Sequence, residues 1–195
     1  AHALKVVMSG VEGYGFEVDY TANLIPATNW NAVWESQFNP IVVDGKCTIK
    51  ASFHEGLKKT RFNITIDPKM AFGTGHHQTT SLMMEVMQKE EKFIRDHKVL
   101  DMGCGTGILA ILAAKMKSAA PVHAIDIDPT AVFSVRENAW KNRVHEKIDS
   151  RCGDASLIQA AKYDIILANI NRNILLQDMA TYTRGLLPGG VLVIS

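Results

Sequence analysis

The stretch Val99-Leu100-Asp101-Met102-Gly103-Cys104-Gly105-Thr106-Gly107-Ile108-Leu109 decides how this chain folds. A short apolar strand runs into an acidic residue, then into alternating glycines, then into a helical pattern. Glycine adopts backbone angles that other residues resist, and without a Cβ it lets a ligand lie against the chain. The helix that follows begins with unpaired N–H groups, which suit polar or anionic ligand groups. The stretch reads as a cradle for a nucleotide-like ligand.

Which nucleotide depends on spacing. The dinucleotide fingerprint is G-x-G-x-x-G, whose last glycine lets the helix pack closely on the strand. Here Gly103, Gly105 and Gly107 give G-x-G-x-G, and Ile108 stands where that last glycine belongs. Asp101 stands just before the turn, where its carboxylate would touch the ligand directly. Both departures favour S-adenosylmethionine over a nicotinamide dinucleotide. A tight turn that holds no ligand is the third reading.

Around this stretch, strands and helices alternate. Strands are expected at Lys98–Asp101, Val122–Asp126, Ile148–Cys152, Tyr163–Ala168 and Val191–Ile194, and helices at Gly107–Met116, Pro129–Asn142 and Asn171–Leu186. A short helix is expected around Ser156–Ala161. Short apolar runs suit strands buried on both faces of a parallel sheet, and the alternation implies right-handed crossovers. The fold class is a doubly wound, Rossmann-like α/β sheet, whose ligands bind beyond the carboxyl ends of the strands. Upstream, Tyr14–Tyr20 alternates like a strand, and Asn29 caps a helix carrying Trp30, Trp34 and Phe38 on one stripe, read as packing. Cys47–Phe53 and Arg61–Ile66 read as strands around a polar loop, with Lys58, Lys59 and Arg61 as a solvated turn. A glycine-rich segment, Ala71–Gly75, leads into a helix from Gln78 to Gln88.

Composition narrows the function classes. A net charge of +1 over 195 residues argues against a broad nucleic-acid footprint. No apolar run approaches a membrane span, and the start lacks a signal-peptide pattern. Cys47, Cys104 and Cys152 are odd in number and widely separated. That pattern fits neither a disulfide framework nor a zinc spacing, so a reducing, cytoplasmic setting is expected. Both ends read as cut: Ala1–Met8 resembles the tail of an amphipathic helix, and Val191–Ser195 stops inside a strand pattern.

Several residues point to chemistry. Asp126 ends the second strand about 20 residues beyond the glycines, where nucleotide folds place an acid for the ribose hydroxyls. Asp128 before Pro129 reads instead as a helix cap. Asp154, after the third strand, either accepts the adenine amino proton, with the small Ala155 leaving room for the ring, or caps a helix. Asn169 follows the fourth strand, where a transferred methyl belongs. Enzymes that methylate base amino groups often carry Asn-Pro-Pro-aromatic there, the ring stacking on a flipped base. Ile170, Asn171 and Arg172 replace those residues, so an aliphatic amine fits better than a base. His76 and His77 are adjacent, but no nearby Cys, Asp or Glu completes a metal site. They read either as surface loop or as substrate lining.

These motifs together resemble the PrmA family of bacterial ribosomal-protein methyltransferases. The resemblance rests on Asn29-Trp30-Asn31-Ala32-Val33-Trp34-Glu35, on Ala71-Phe72-Gly73-Thr74-Gly75-His76-His77-Gln78-Thr79-Thr80, and on the Asp101 glycine loop. It continues through Asp126-Ile127-Asp128-Pro129, Arg136-Glu137-Asn138-Ala139, Gly153-Asp154 and Ala168-Asn169-Ile170, covering the chain from about Asn29 onward. The glycine loop marks only the wider methyltransferase class; the Phe-Gly-Thr-Gly-His segment followed by Thr-Thr is far more specific. The resemblance implies a seven-stranded class I fold that uses S-adenosylmethionine to methylate lysine and N-terminal amines of a large-subunit ribosomal protein. It implies cofactor contacts from Thr80, Asp101, Gly103, Gly105, Gly107, Asp126, Ile127, Asp154, Ala155 and Asn169. Catalysis would fall to Asn169, orienting the amine through its side-chain oxygen, with Phe72 and Thr74 closing over the methionine end. It also implies a remnant of a substrate-recognition domain over 1–25, a linker helix over 26–40 and a methyltransferase domain over 41–195 without its final strands, leaving Val191 on an edge. A monomer with no direct DNA or membrane contact is expected. An oxidoreductase and a non-catalytic adenosylmethionine-binding module remain the competing readings.

Overall fold

The computed structural model describes residues 39–67 and 77–195. The strand expected at Tyr14–Tyr20, the aromatic helix after Asn29, and the segment carrying Phe72, Thr74 and His76 lie outside the described residues. In chain order, the first elements are β1 (Ile41–Val43), β2 (Cys47–Lys50), β3 (Phe62–Thr65), α1 (Gln78–Lys89) and α2 (Glu91–Ile94). They are followed by β4 (Lys98–Met102), α3 (Ile108–Lys115), β5 (Ala119–Asp126), α4 (Pro129–Lys141) and β6 (Ile148–Cys152). The last are β7 (Tyr163–Ala168), α5 (Arg172–Gly185) and β8 (Leu186–Ile194).

Five strands form the main sheet in the order β6-β5-β4-β7-β8, and every pairing in it is parallel. The chain leaves β4 first toward β5 and β6, then returns to its other side as β7 and β8. That reversal opens a crevice beyond the carboxyl ends of β4 and β7, the usual ligand position in such sheets. Met102 pairs with Ala168 there, so Gly103 and Asn169 are the next residues on either lip.

The sheet divides two apolar layers. Val99, Ile165 and Leu167 point to one, while Leu100, Met102, Ile166 and Ala168 point to the other. Because both faces are covered, β4 and β7 read as nearly continuous buried runs. Helix α3 is apolar all round, with Ile108 through Ala114 all buried, as befits a helix with no solvent face. It packs between the main sheet and β3 of a second, three-stranded sheet in which β1–β2 is antiparallel and β2–β3 parallel.

The structure departs from the sequence reading at short or broken elements. Strand β1 has only three residues and α2 only four, too few to show a period. Strands β2 and β3 are shorter than expected and form their own sheet. The expected helix at Ser156–Ala161 is a single 3-10 turn, Ala155–Leu157. Strand β8 begins at Leu186 rather than Val191, with Pro188-Gly189-Gly190 as a bulge within it. Its pairing with β7 jumps from Tyr163↔Leu186 to Ile165↔Val191.

Asparagines on α4 tie the second sheet to the first. Asn142 accepts a hydrogen bond from Thr65 N (3.0 Å) and donates to Thr65 O (2.6 Å), clasping both backbone groups at the end of β3. Removing the clasp strands partly buried backbone groups, at a cost of about 1–3 kcal/mol. We expect Asn142→Ala to lower the urea midpoint accordingly without changing the slope of the transition.

Candidate active site

A cavity of about 660 Å³ occupies the crevice, lined by Gly103 and Gly105 of the loop, Asp126 and Ile127 after β5, Asp154 after β6, and Asn169 after β7, among others. Its size falls within the usual range for small-molecule sites. The loop is shaped by left-handed glycines, with φ of +68° at Gly103, +52° at Gly105 and +79° at Gly107. At Gly103 a Cβ would lie 2.0 Å from Ile170 Cγ2, and at Gly107 it would press on Val135 of α4 at 3.0 Å. Gly103 therefore serves the cavity, where Ile170 overhangs it, while Gly107 serves packing at the start of α3. The close packing that dinucleotide folds obtain from their last glycine is obtained here one residue earlier. Ile108 is free to be a buried core residue.

Asp126 reaches back into the loop. Its Oδ2 accepts from Gly105 N at 2.8 Å and its Oδ1 from Asp128 N at 3.0 Å. A carboxylate offers about four acceptor sites, so two remain for donors in the cavity. Asp128 caps α4 by accepting from Thr130 N at 2.8 Å, as its place before Pro129 suggests. Asp154 caps the 3-10 turn through Ser156 N at 2.9 Å and also stands on the cavity wall. The Ser156 hydroxyl, with the Ser156 N–H, holds its carboxyl below the usual range.

Some expected contacts are not at the cavity wall. Ala155 is buried in the core with Ile125, Ile158 and Tyr182. Asp101 is 1% exposed and turns inward, accepting from Ala110 N at 3.0 Å. The reason is local: α3 starts with unpaired N–H groups, and Asp101 lies directly beneath them. Burial pushes its pKa up to about 7, opposed by the Ala110 N–H and reinforced by the negative Asp126. Burial likewise raises the Cys104 thiol, which stays protonated within the loop. Thr80 is buried as well and borders a small cavity of 20 Å³ together with Asp101, Asn169 and the glycine loop.

Asn169 is clamped from several sides. Its Nδ2 donates to Thr80 Oγ1 (2.9 Å), and its Oδ1 accepts from Thr79 Oγ1 (3.0 Å) and from Ser195 Oγ (2.6 Å). Thr79 Oγ1 lies 2.7 Å from His77 Nδ1, and His77 caps α1. His77, Thr79 and Ser195 line the cavity, as do Ile170, Asn171, Ile174 and Asp178 of the segment running into α5. Reading by motif included Thr79 without giving it a site role, and missed Ile174, Asp178 and Ser195. The signal for the α5 residues was present as a helical stripe, Asn171, Ile174 and Asp178, at i, i+3, i+7 spacing.

Two outcomes test this geometry. Asp101 has a raised folded-state pKa against an ordinary value of 3.8. Its contribution to stability is therefore full below about pH 4 and lost as pH rises through about 7. Asp101→Asn removes that slope, so its denaturant midpoint should vary less than wild type across this window. Gly103→Ala adds both backbone strain and a clash, costing about 1–3 kcal/mol or more. Ile170→Ala in the same chain should restore the part due to the clash, as read by urea unfolding.

The family model described as ribosomal protein L11 methyltransferase (PrmA) matches residues 3–195. The ribosomal protein L11 methyltransferase of Porphyromonas gingivalis is 48% identical over 178 residues. That match covers 90% of this chain, which spans only 60% of the relative's length. A crystal structure of ribosomal protein L11 methylase from Lactobacillus delbrueckii subsp. bulgaricus superimposes with a TM-score of 0.71 at 29% identity, covering 81% of this chain and 80% of that one. The enzyme–prozyme PRMT1 complex of Trypanosoma brucei with AdoHcy gives a TM-score of 0.52 at 28% identity, covering 60% and 38%. The chain belongs to the ribosomal protein L11 methyltransferase (PrmA) family.

Proposed function

We propose that this chain binds S-adenosylmethionine and transfers its methyl group to amine nitrogens of ribosomal protein L11, on lysine side chains and the N-terminal amine. The observation that carries the reading is one cavity joining the glycine loop, the Asp126 carboxylate and the Asn169 amide at three strand ends. The family membership and the AdoHcy bound by a structural neighbour support it. A dinucleotide suits the loop less well, because Ile108 fills the place of the fingerprint's last glycine. Residues 41–195 would form the methyltransferase domain, after a linker over 26–40 and part of a substrate-recognition domain over 1–25. We place the protein in the cytoplasm as a monomer; among the described residues no helix is long and apolar enough to cross a membrane.

When bound, adenosylmethionine supplies a methyl group carried on a positively charged sulfur. Gly103 and Gly105 bring backbone against the ligand, and Asp126 offers its two remaining acceptor sites to the ribose hydroxyls. Ile127, 74% exposed beside Asp126, gives an apolar wall. Asn169 holds the amine by its Oδ1, from which the amine displaces Thr79 or Ser195. Thr80, bonded to Nδ2, keeps the oxygen end of the amide facing the cavity. Phe72 and Thr74 remain assigned to closure over the methionine end. A lysine near pKa 10.4 is neutral only about one part in a few thousand at pH 7. Transfer to the apolar cavity lowers that pKa, and fixed position replaces a bimolecular encounter. Held by Asn169, the amine would keep its nitrogen lone pair free to take the methyl group that bound adenosylmethionine would supply, the carbon–sulfur electron pair staying on sulfur.

Calorimetry with S-adenosylhomocysteine tests the reading, with micromolar binding expected for wild type. Asp126→Ala should weaken it at least about tenfold, the effect of losing charge-assisted hydrogen bonds. Asn169→Ala should lose most methyl transfer to ribosomal protein L11. Full transfer with normal cofactor binding in that variant would remove Asn169 from the mechanism.

A further inference from the structure

The hydroxyl that shares the Asn169 oxygen leads out of the cavity to an imidazole. Thr79 Oγ1 lies 3.0 Å from Asn169 Oδ1 on one side and 2.7 Å from His77 Nδ1 on the other. The tautomer of His77 follows from its place at the start of α1. As the cap of that helix its Nδ1 accepts from Thr79 N at 3.4 Å, so Nδ1 carries the lone pair and the ring proton sits on Nε2. Thr79 has one hydroxyl hydrogen and two acceptors competing for it, Asn169 Oδ1 and His77 Nδ1. His77 is exposed and Thr79 only part-buried, so the row Asn169, Thr79, His77 runs from the cavity toward solvent. Among the described residues, the charged groups lining the same cavity are Asp126, Asp154 and Asp178, and α1 carries no charged residue before Glu85.

Resting on the methyltransferase reading above, we propose that Thr79 and His77 form the path by which the substrate ammonium loses its proton. Two oxygens 3.0 Å apart can both be met by one nitrogen at ordinary hydrogen-bond distance. An ammonium that takes over Asn169 Oδ1 therefore also meets Thr79 Oγ1, and the displaced Thr79 hydrogen turns to His77 Nδ1. One N–H bond of the ammonium then breaks as its proton passes to Thr79 Oγ1, while the Thr79 proton passes to His77 Nδ1. The amine keeps the electron pair, the threonine is restored, and the positive charge moves from the ammonium to the imidazole. Protonated Nδ1 no longer accepts from Thr79 N, so the helix cap is remade when the exposed ring gives a proton to water. Over one turnover the nitrogen gains a methyl group and solvent gains one proton.

The test is single-turnover methyl transfer to ribosomal protein L11 by the full chain, from about pH 7.5 to about 9.5, between the ordinary ranges of imidazole and lysine. Wild type should be nearly flat there. Thr79→Val, and His77→Asn, whose side chain still caps a helix, should lose about a hundredfold at the lower end. Both should then recover about tenfold per pH unit, as the fraction of free amine in solution rises. Thr79→Ser restores the hydroxyl and should recover most of the rate and the flat profile. The slope is read within each variant, so a smaller folded fraction cancels. Nitrogen NMR of the chain without ligand should give His77 the Nε2–H tautomer, its signal identified by its loss in His77→Asn. A constant ratio between wild type and Thr79→Val or His77→Asn across this range overturns the path and leaves those side chains a structural role. A wild-type rate that itself climbs about tenfold per pH unit, or an Nδ1–H tautomer at His77, overturns it as well. Wild type that transfers no methyl group at any pH overturns the methyltransferase reading itself, whereas the tautomer is read independently of transfer.

Discussion

The turn from β4 into α3 must pass through left-handed backbone at Gly103, Gly105 and Gly107, and the site is organised around that constraint. Each glycine is held by a different neighbour. Gly103 and Cys104 donate their N–H groups to Ile125 O of β5 at 2.8 and 3.1 Å. Gly105 donates to Asp126, and Gly107 is pressed by Val135 of α4. A side chain at any of these positions meets strained angles, and at Gly103 and Gly107 it also meets a packed neighbour. The loop is thereby fixed to β5, and Asp126 is aimed by the loop it helps to hold. Under the proposed reading, ligand recognition and loop architecture would share this one carboxylate.

The same coupling reaches the second sheet. Asn138 of α4 is buried, and its Nδ2 donates to Thr106 O within the loop at 3.0 Å. Its Oδ1 accepts from Asp67 N just beyond β3, at 3.4 Å. Asp67 is further bound to Ser52 and Lys141. Side-chain amides suit this task because one group both donates and accepts, satisfying backbone from two elements at once. Beneath the loop, Asp101 gives the first turn of α3 an acceptor without a fixed charge. Close to neutral pH it is only partly ionised, which softens repulsion with Asp126.

The main sheet was legible in the sequence because its elements carry strong periods. Strands β6 and β7 begin and end where their apolar runs do, and α4 starts at Pro129 behind an Asp128 cap. The pieces that escaped are those without a period, such as three-residue β1 and the β8 bulge, where proline and glycine punctuate a strand rather than end it. In the site, position along the chain was readable and direction was not. Asp101, Ala155 and Gly107 stand at the expected strand and helix ends, and the structure turns the Asp101 carboxylate under α3 and the Ala155 methyl into the core. Conversely, Asp178 lies far from any glycine motif and enters the cavity only because α5 brings it there.

Under the proposed reading, the Asn169 clamp would suit an amine nitrogen. Its oxygen already receives the Thr79 and Ser195 hydroxyls, so a newcomer must offer a hydrogen at least as good as theirs. A neutral amine offers two hydrogens and keeps a lone pair, so it can bind Oδ1 and still present the lone pair to an electrophile. The protonated amine offers hydrogens but has no lone pair, and it binds without reacting. An ether or thioether has lone pairs but no hydrogen to give, and it cannot displace the hydroxyls. On that reading the clamp would favour a group that donates and attacks at the same atom, and Thr80, bonded to the amide's other end, opposes the rotation that would reverse that preference.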